Sequence, residues 1–256
     1  MIYILLPVYN EEAHIQKLVE SIAGVLSGRD YKIIAVDDGS SDRTVQILQN
    51  LNKGNIQILR HNVNLSIGAV YSTGISHILD EALDSDVLVL MEADLTSPAE
   101  MIVKLEEELV QKNKDIVIGS RFLKQGGYEK FPLKRLCFSL GANTLMRWFF
   151  PLEGIGDYTI FLRAYRIALL RKAVIYFGKC NFLQTRGFVS NVELLVKCSL
   201  FTRNISEVPL RYNYGLKKNR SKMRVVSTIL EYFGLIFYLR EIIRKFHSRE
   251  RLVIEG

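Results

Sequence analysis

The sequence predicts an α/β protein built on a mostly parallel central sheet with helices on both faces. Three observations carry that reading. Short apolar, β-rich runs alternate with longer stretches of helical spacing through the first half of the chain. The connections between them are short, which is the pattern of strand–helix–strand units. Acidic and small polar residues recur where the β-rich runs stop. Composition agrees: 48% apolar and 24% charged residues describe an ordinary globular chain. Its 256 residues allow one core of about 200 residues with an appendage.

Taken in order, Ile2 to Leu6 is the first strand, and Asn10-Glu11-Glu12 opens a helix running to about Leu26. Tyr31 to Val36 is a second strand that stops at Asp37-Asp38-Gly39-Ser40, after which Ser41 or Asp42 is placed to cap a helix through Leu51. Ile56 to Leu59 reads as a third strand and Ile67 to Leu83 as a helix. Val87 to Met91 is a fourth strand, Pro98 starts a helix to about Val110, and Ile116 to Ile118 is a fifth strand. Ser120 to Pro132, with Gly126-Gly127, reads as a mobile loop. Leu133 to Phe149 and Arg163 to Ile175 carry amphipathic helical spacing, and Asn204 to Tyr214 reads as a strand. A basic loop, Gly215 to Lys222, leads into a last helix to about Phe246. The natural division is a main α/β domain over 1–222 and a basic amphipathic helix and tail over 223–256.

Charge is unevenly spread. The net charge is +7, and from Arg203 onward there are 12 basic against 5 acidic residues, so the excess sits in the last fifth of the chain. Such a tail predicts an anionic partner. Because the first 202 residues are neutral and bear acids at the strand ends, nucleic acid is not the expected one. Cys137, Cys180 and Cys198 are odd in number and show no C-x-x-C spacing, which argues against a disulfide framework or a zinc site. The N-terminal MIYILLPVYNEE lacks a basic flank and reads as a buried strand rather than a signal peptide. No run reaches the roughly 20 apolar residues of a membrane span.

In a parallel sheet ligands bind at the carboxyl ends of the strands. Three acidic clusters fall at such places: Asp37-Asp38, Glu92-Ala93-Asp94, and Asp157 after Gly154-Ile155-Gly156. Each has an ordinary structural reading taken alone. Asp-Asp-Gly-Ser makes a turn with a helix cap, and Glu-Ala-Asp before Ser97-Pro98 suits a helix start. Pro7-Val8-Tyr9-Asn10-Glu11 is likewise a strand-to-helix turn by itself, but these last three motifs, as a set on consecutive strand ends, describe a site for a hard cation and a phosphate group.

Four segments then carry a resemblance: PVYNEE at 7–12, VDDGSSD at 36–42, EAD at 92–94 and GSRF at 119–122. They resemble the family 2 glycosyltransferases of GT-A fold, nearest to the dolichol-phosphate mannosyltransferase and polyprenyl-phosphate glycosyltransferase group, over about residues 1 to 225. Arg135 on the next helix, Asp157-Tyr158-Thr159 ahead of Leu162-Arg163-Ala164-Tyr165-Arg166, and Arg220-Ser221-Lys222 resemble further features of that group. The resemblance implies that Pro7, Tyr9, Glu11 and Asp38 line a nucleotide. It implies that Glu92 and Asp94 hold Mg²⁺ or Mn²⁺ and the donor diphosphate. Arg121, Arg135, Arg211, Ser221 and Lys222 are then expected to meet phosphates of donor or acceptor. The chain departs from the pattern twice: Glu92 stands where Asp is usual, and Ile160-Phe161-Leu162 replaces Ser-Gly-Phe.

What the resemblance implies is an inverting transfer of a hexose from a nucleotide sugar (GDP-mannose or a UDP-sugar) to a polyprenyl or dolichyl phosphate. An anionic acceptor needs arginines and lysines to hold it in line and no base. A hydroxyl acceptor, such as a lipid-linked oligosaccharide or a polysaccharide, needs a base, for which Asp157 is the candidate. Met223 to Phe246 has apolar faces broken by Arg224, Glu231, Arg240, Arg244 and Lys245. It is expected either to lie on the cytoplasmic face of a membrane as a peripheral anchor, or to pack on its own domain, a second copy or a membrane-protein partner.

Overall fold

A computed structural model describes residues 1–216 and 225–254, and side chains within the last helix over 228–248. The expected lysine and serine contacts at Ser221 and Lys222 lie outside the described residues.

Nine strands and eight α-helices follow in order: β1 (Ile2–Val8), α1 (Ile15–Val25), β2 (Tyr31–Asp37), α2 (Thr44–Leu51), β3 (Ile56–Arg60), α3 (Ile67–Glu81), β4 (Val87–Leu90), α4 (Glu100–Gln111), β5 (Ile116–Ser120), β6 (Gly127–Glu129), α5 (Leu133–Phe149), β7 (Arg163–Arg166), α6 (Ile167–Phe177), α7 (Ser190–Ser199), β8 (Ile205–Pro209), β9 (Arg211–Asn213) and α8 (Val225–Ile254). Seven strands make one sheet in the order β3-β2-β1-β4-β7-β5-β8. All pairings are parallel except those of β7, which runs antiparallel to both β4 and β5.

The central strands are apolar on both faces because helices cover both. Ile4, Leu5, Leu6, Ile33, Ile34, Val36, Leu88, Val89 and Leu90 are fully buried. Helix α1 turns Ile15, Leu18, Val19 and Ile22 inward, and α4 does the same with Met101, Ile102, Leu105 and Leu109. Winding proceeds from β1 outward through β2 and β3, then returns to the other side of β1 with β4. The loops leaving β1 and β4 therefore diverge, which opens a crevice at the carboxyl ends of these two strands.

Three expectations are corrected. Arg163 to Ile175 is not one helix, because Arg163–Arg166 forms β7 and the helix begins at Ile167. Leu88↔Tyr165 and Val117↔Ala164 show β7 filling the gap between β4 and β5. A four-residue strand buried on both faces leaves no alternation to read. Arg163 is fully buried there, giving Nη1 to the Asn191 carbonyl at 2.6 Å and Nη2 to the Tyr158 carbonyl. The 120–132 stretch holds strand β6, and 204–214 is two strands rather than one. Pro209 ends the pairing with Ser120, and β9 then pairs in parallel with β6 in a separate two-stranded sheet.

Helix α8 packs on α5 and α7 of its own domain. Leu235, Ile236, Leu239 and Phe246 are buried, with the Phe246 ring 5.1 Å from Tyr176 and 5.2 Å from Phe201. Below it, Lys197 and Glu193 form a fully buried ion pair of 2.7 Å, and the ammonium also meets the Tyr238 hydroxyl at 2.8 Å. Among the described residues no helix is long and apolar enough to cross a membrane.

Candidate active site

The turn after β1 is laced to the turn after β2. Asn10 N–H donates to Ser40 Oγ at 2.8 Å, Ser41 N–H to Asn10 Oδ1 at 2.9 Å, and Glu11 N–H to Thr44 Oγ1 at 2.9 Å. Asn10 takes φ 53°, a left-handed value that Asn tolerates. Glu11 Oε2 lies 2.8 Å from His14 Nδ1 at the start of α1. The expected cap on α2 is corrected: Arg43 is its N-cap and makes no side-chain cap bond, while Asp42, one residue earlier, accepts from Thr44 N–H at 3.0 Å in the turn leading to the helix.

The two aspartates after β2 have different parts. Asp37 is fully buried, accepts from Ser40 N–H at 3.2 Å and pairs with Arg60 Nε at 3.2 Å. Asp38 holds the 61–66 loop, accepting from Leu65 and Ser66 N–H groups at 2.9 Å each and meeting His61 Nδ1 at 2.8 Å. Gly39 makes this approach feasible. It has φ +79°, and a Cβ there would stand 2.9 Å from the Val63 carbonyl carbon.

At the end of β4, Thr96 donates to Asp94 Oδ1 through its N–H and hydroxyl. Tyr212 on β9 donates its hydroxyl to Glu92 Oε1 at 3.1 Å, and Asn213 N–H donates to the Thr96 carbonyl at 3.0 Å. Burial, and then the Glu92 and Asp94 charges, push the Tyr212 phenol well above its ordinary pKa, so it stays a donor.

Two cavities meet at this point. One, of about 280 Å³, is lined by Pro7, Tyr9, Glu11, Asp38, Glu92 and Asp94, together with Asn64, Ser66, Phe161 and Phe188. The other, of about 340 Å³, lies between α5 and α8. Its wall is chiefly apolar, with Phe131, Phe138, Ala142, Leu145, Ile160, Tyr232 and Phe233, and it holds the cations Arg121 and Arg135. Glu92, Phe161 and Phe188 line both.

Arg121 enters the second cavity already engaged. Its Nε reaches Asp157 Oδ2 at 2.7 Å, its Nη2 reaches Asp157 Oδ1 at 2.6 Å, and Nη2 also meets Thr159 Oγ1 at 2.7 Å. Burial disfavours the guanidinium charge, but the Asp157 carboxylate outweighs it and raises the pKa above its ordinary value. Asp157 also accepts from the Arg121 and Ile160 N–H groups at 3.1 and 3.2 Å. Its own N–H and that of Gly156 donate to Glu207 Oε1 at 2.7 and 2.9 Å. Arg135 lies 5.7 Å over the Tyr214 ring.

The residues expected to line a nucleotide and a cation thus share one cavity, while Arg121 and Arg135 share the other. Asp157 lines neither of the two; it sits fully buried behind Arg121, with both oxygens accepting from that guanidinium. Arg211 is exposed on β9 and lines neither cavity, because alternation along this short strand turns its neighbour Tyr212 inward instead. Sequence reading missed Tyr212 and Phe188, for which a single chain offers no signal. It also missed Asn64 and Ser66, although they follow β3 as the other site loops follow their strands.

Among the described residues no group of three or more His, Cys, Asp and Glu side chains is arranged to enclose an ion. Glu92 and Asp94 provide hard carboxylate oxygens on one cavity wall. That donor set fits Mg²⁺ or Mn²⁺, which bind one or two carboxylates and take the rest of their shell from phosphates and water.

The chain is similar to several known proteins. A dolichol-phosphate mannosyltransferase of Pyrococcus furiosus is 31% identical over 238 residues, covering 92% of this chain and 62% of that protein. The chain therefore spans less than two thirds of that relative's length. A UDP-N-acetylglucosamine–dolichyl-phosphate N-acetylglucosaminyltransferase of Methanococcus voltae is 26% identical over 231 residues, covering 84% of this chain and 86% of that protein. Among solved structures, glucosyl-3-phosphoglycerate synthase from Mycobacterium tuberculosis, in complex with Mg²⁺ and UDP, superposes with a TM-score of 0.64. It shares 18% identity over 91% of this chain and 79% of that one, a likeness of fold alone. The model of Glycosyl transferase family 2 matches residues 3–175, from β1 into α6 and through both acidic turns, and this chain belongs to that family.

Proposed function

We propose that the chain transfers a hexose from a nucleotide sugar, GDP-mannose or a UDP-sugar, to a polyprenyl or dolichyl phosphate at the cytoplasmic face of a membrane. The observation that carries this reading is the junction of the two cavities at Glu92, one walled by acids and the other apolar with two arginines. In the first, the Pro7–Glu11 turn and Asp38 bound the space for nucleoside, and Glu92 and Asp94 are the residues to hold a divalent cation. Such a cation supplies neutralisation of the departing diphosphate. In the second, Arg121 and Arg135 face the lipid phosphate while its prenyl chain follows the apolar wall between α5 and α8.

A phosphate oxygen is an anionic nucleophile already, so displacement at the anomeric carbon needs no general base. Holding the phosphate in line is the task of the arginines. The Asp157–Arg121 pair fits that task, since it fixes the guanidinium plane. Two relatives are named for dolichyl-phosphate sugar transfer, which supports the same acceptor class.

The membrane part of the proposal rests on α5 and α8. Trp148 and Leu133 on α5 are 80% and 74% exposed, and Phe237 and Leu230 on α8 are 73% and 67% exposed. Arg147 and Arg240 stand beside them. Apolar residues with neighbouring cations suit the headgroup layer of an anionic bilayer.

The test is transfer of labelled sugar from UDP- and GDP-sugars, with Mg²⁺ or Mn²⁺, to polyprenyl phosphate or to hydroxyl acceptors. Turnover on polyprenyl phosphate is the expected result. Turnover on hydroxyl acceptors alone rejects the proposal.

A further inference from the structure

We propose that Phe161, backed by Phe188, selects the sugar, admitting plain hexoses and rejecting N-acetylhexosamines. This rests on the donor reading above and goes further by naming the residue that discriminates. Phe161 and Phe188 are shared by both cavities, so their rings form the partition between them. The rings meet edge to face, with centroids 5.7 Å apart and planes at 86°. Behind Phe161 stands Tyr71, 6.3 Å away and fully buried on α3. A sugar that leaves a diphosphate in the first cavity for a phosphate in the second has to stand at this partition, with Glu92 as the third shared residue.

The wall is held firmly. The residue before Phe161 is fixed through both of its backbone groups: Asn191 Nδ2 donates to the Ile160 carbonyl, and Ile160 N–H donates to Asp157. Phe188 follows a loop whose Gln184 and Thr185 N–H groups donate to the buried Glu193 carboxylate at 3.0 and 2.9 Å. Both rings are half-buried, so each shows a surface to the cavities. Aromatic surface packs well on the C–H face of a hexose. It also fills space that a planar acetamido group needs, and offers that group neither donor nor acceptor, so its amide is desolvated without repayment.

The experiment measures binding, and so does not depend on the acceptor. The wild-type protein, Phe161→Ala and Phe161→Leu are titrated calorimetrically with UDP-glucose and UDP-N-acetylglucosamine in Mg²⁺; for a GDP-selective protein, GDP-mannose and its 2-acetamido analogue are used. Wild type is expected to favour the hexose donor by at least ~10-fold, and Phe161→Ala to shrink that ratio about tenfold, with Phe161→Leu between. The free nucleoside diphosphate should bind all three within about twofold, which separates a lost wall from a lost fold. An equal ratio in wild type and Phe161→Ala, or a wild-type preference for the acetamido sugar, overturns the proposal while leaving the donor reading intact. Absence of binding of any nucleotide sugar to wild type overturns both.

Discussion

Arg121 and Asp157 are joined by a two-pronged ion pair, Nε to Oδ2 at 2.7 Å and Nη2 to Oδ1 at 2.6 Å, with both side chains buried. Thirty-six residues apart in sequence, they fix the end of β5 against the Gly154–Asp157 turn. Asp157→Asn keeps the shape but leaves a buried guanidinium without its counter-charge. Breaking such a pair costs about 3–5 kcal/mol, seen as a lower denaturation midpoint. If Asp157 positions Arg121, the KM for polyprenyl phosphate rises along with this loss. A stable Asp157→Asn protein with unchanged KM and abolished kcat would instead make Asp157 a base.

Glu92 and Asp94 make a second prediction. Asp94→Ala is expected to lower transfer by at least about 10²-fold, since electrostatic support of a departing group is commonly of that size. It should also abolish the rise in melting temperature that a nucleoside diphosphate gives with Mg²⁺ or Mn²⁺. Tyr212→Phe removes the phenol's hydrogen bonds, to Glu92 at 3.1 Å and to the Thr96 side chain, and should cost a few-fold, with the metal-dependent shift retained. Full activity in Asp94→Ala would remove these carboxylates from the site.

How much of this was legible beforehand divides along physical lines. The parallel half of the sheet was readable because its strands are short apolar-rich runs and the turns after β2 and β4 carry paired acids. Strand β7 was not, since Arg163 and Arg166 resemble the solvent face of a helix until burial of Arg163 between β4 and β5 is seen. Asp38 and Asp94 were expected to share a cleft, and they do. The partner of Asp157 could not be read, because Arg121 is distant in sequence and a carboxylate in a motif looks the same whether it is open or saturated. Arg211 stands outside both cavities for a related reason: one register step separates it from Tyr212, and only pairing with β6 decides which of the two faces inward.

Glu207 gives a pH prediction. Burial raises its pKa from the ordinary 4.5, while the Asp157 and Gly156 N–H groups and the Ser120 hydroxyl pull the other way. In the folded state the carboxyl therefore holds its proton to a higher pH than in the unfolded chain. Between 4.5 and the raised value the native state binds more protons, so this group's contribution to stability falls as pH rises through that window. Glu207→Gln retains an oxygen to accept from Gly156 and Asp157 and has no charge to desolvate. Urea unfolding from pH 4 to pH 7 should show wild type losing stability relative to Glu207→Gln as pH increases. A difference that is flat, or of opposite slope, refutes this.

Helices α5 and α8 supply the last prediction. On α8 the inward side is committed to Leu235, Ile236, Leu239 and Phe246, all buried, so Leu230 and Phe237 are not needed by the core. The two lie seven residues apart, on one face of the helix. Arg240 connects the helices by resting 5.8 Å over the Phe149 ring, next to Trp148. None of Leu230, Phe237 and Trp148 lines either cavity. Each fully buried apolar side chain of this kind is worth about 1.5–3 kcal/mol. Partial insertion of three of them should therefore be detectable against vesicles. Leu230→Glu with Phe237→Glu is expected to weaken flotation with anionic phosphatidylglycerol vesicles by at least ~10-fold while leaving nucleotide binding unchanged, because charge is driven into the headgroup layer and facing anionic lipid. Raising salt should weaken the wild type as well, through Arg147 and Arg240. Equal flotation of wild type and the double variant would detach this surface from the membrane and leave it as a face for another protein.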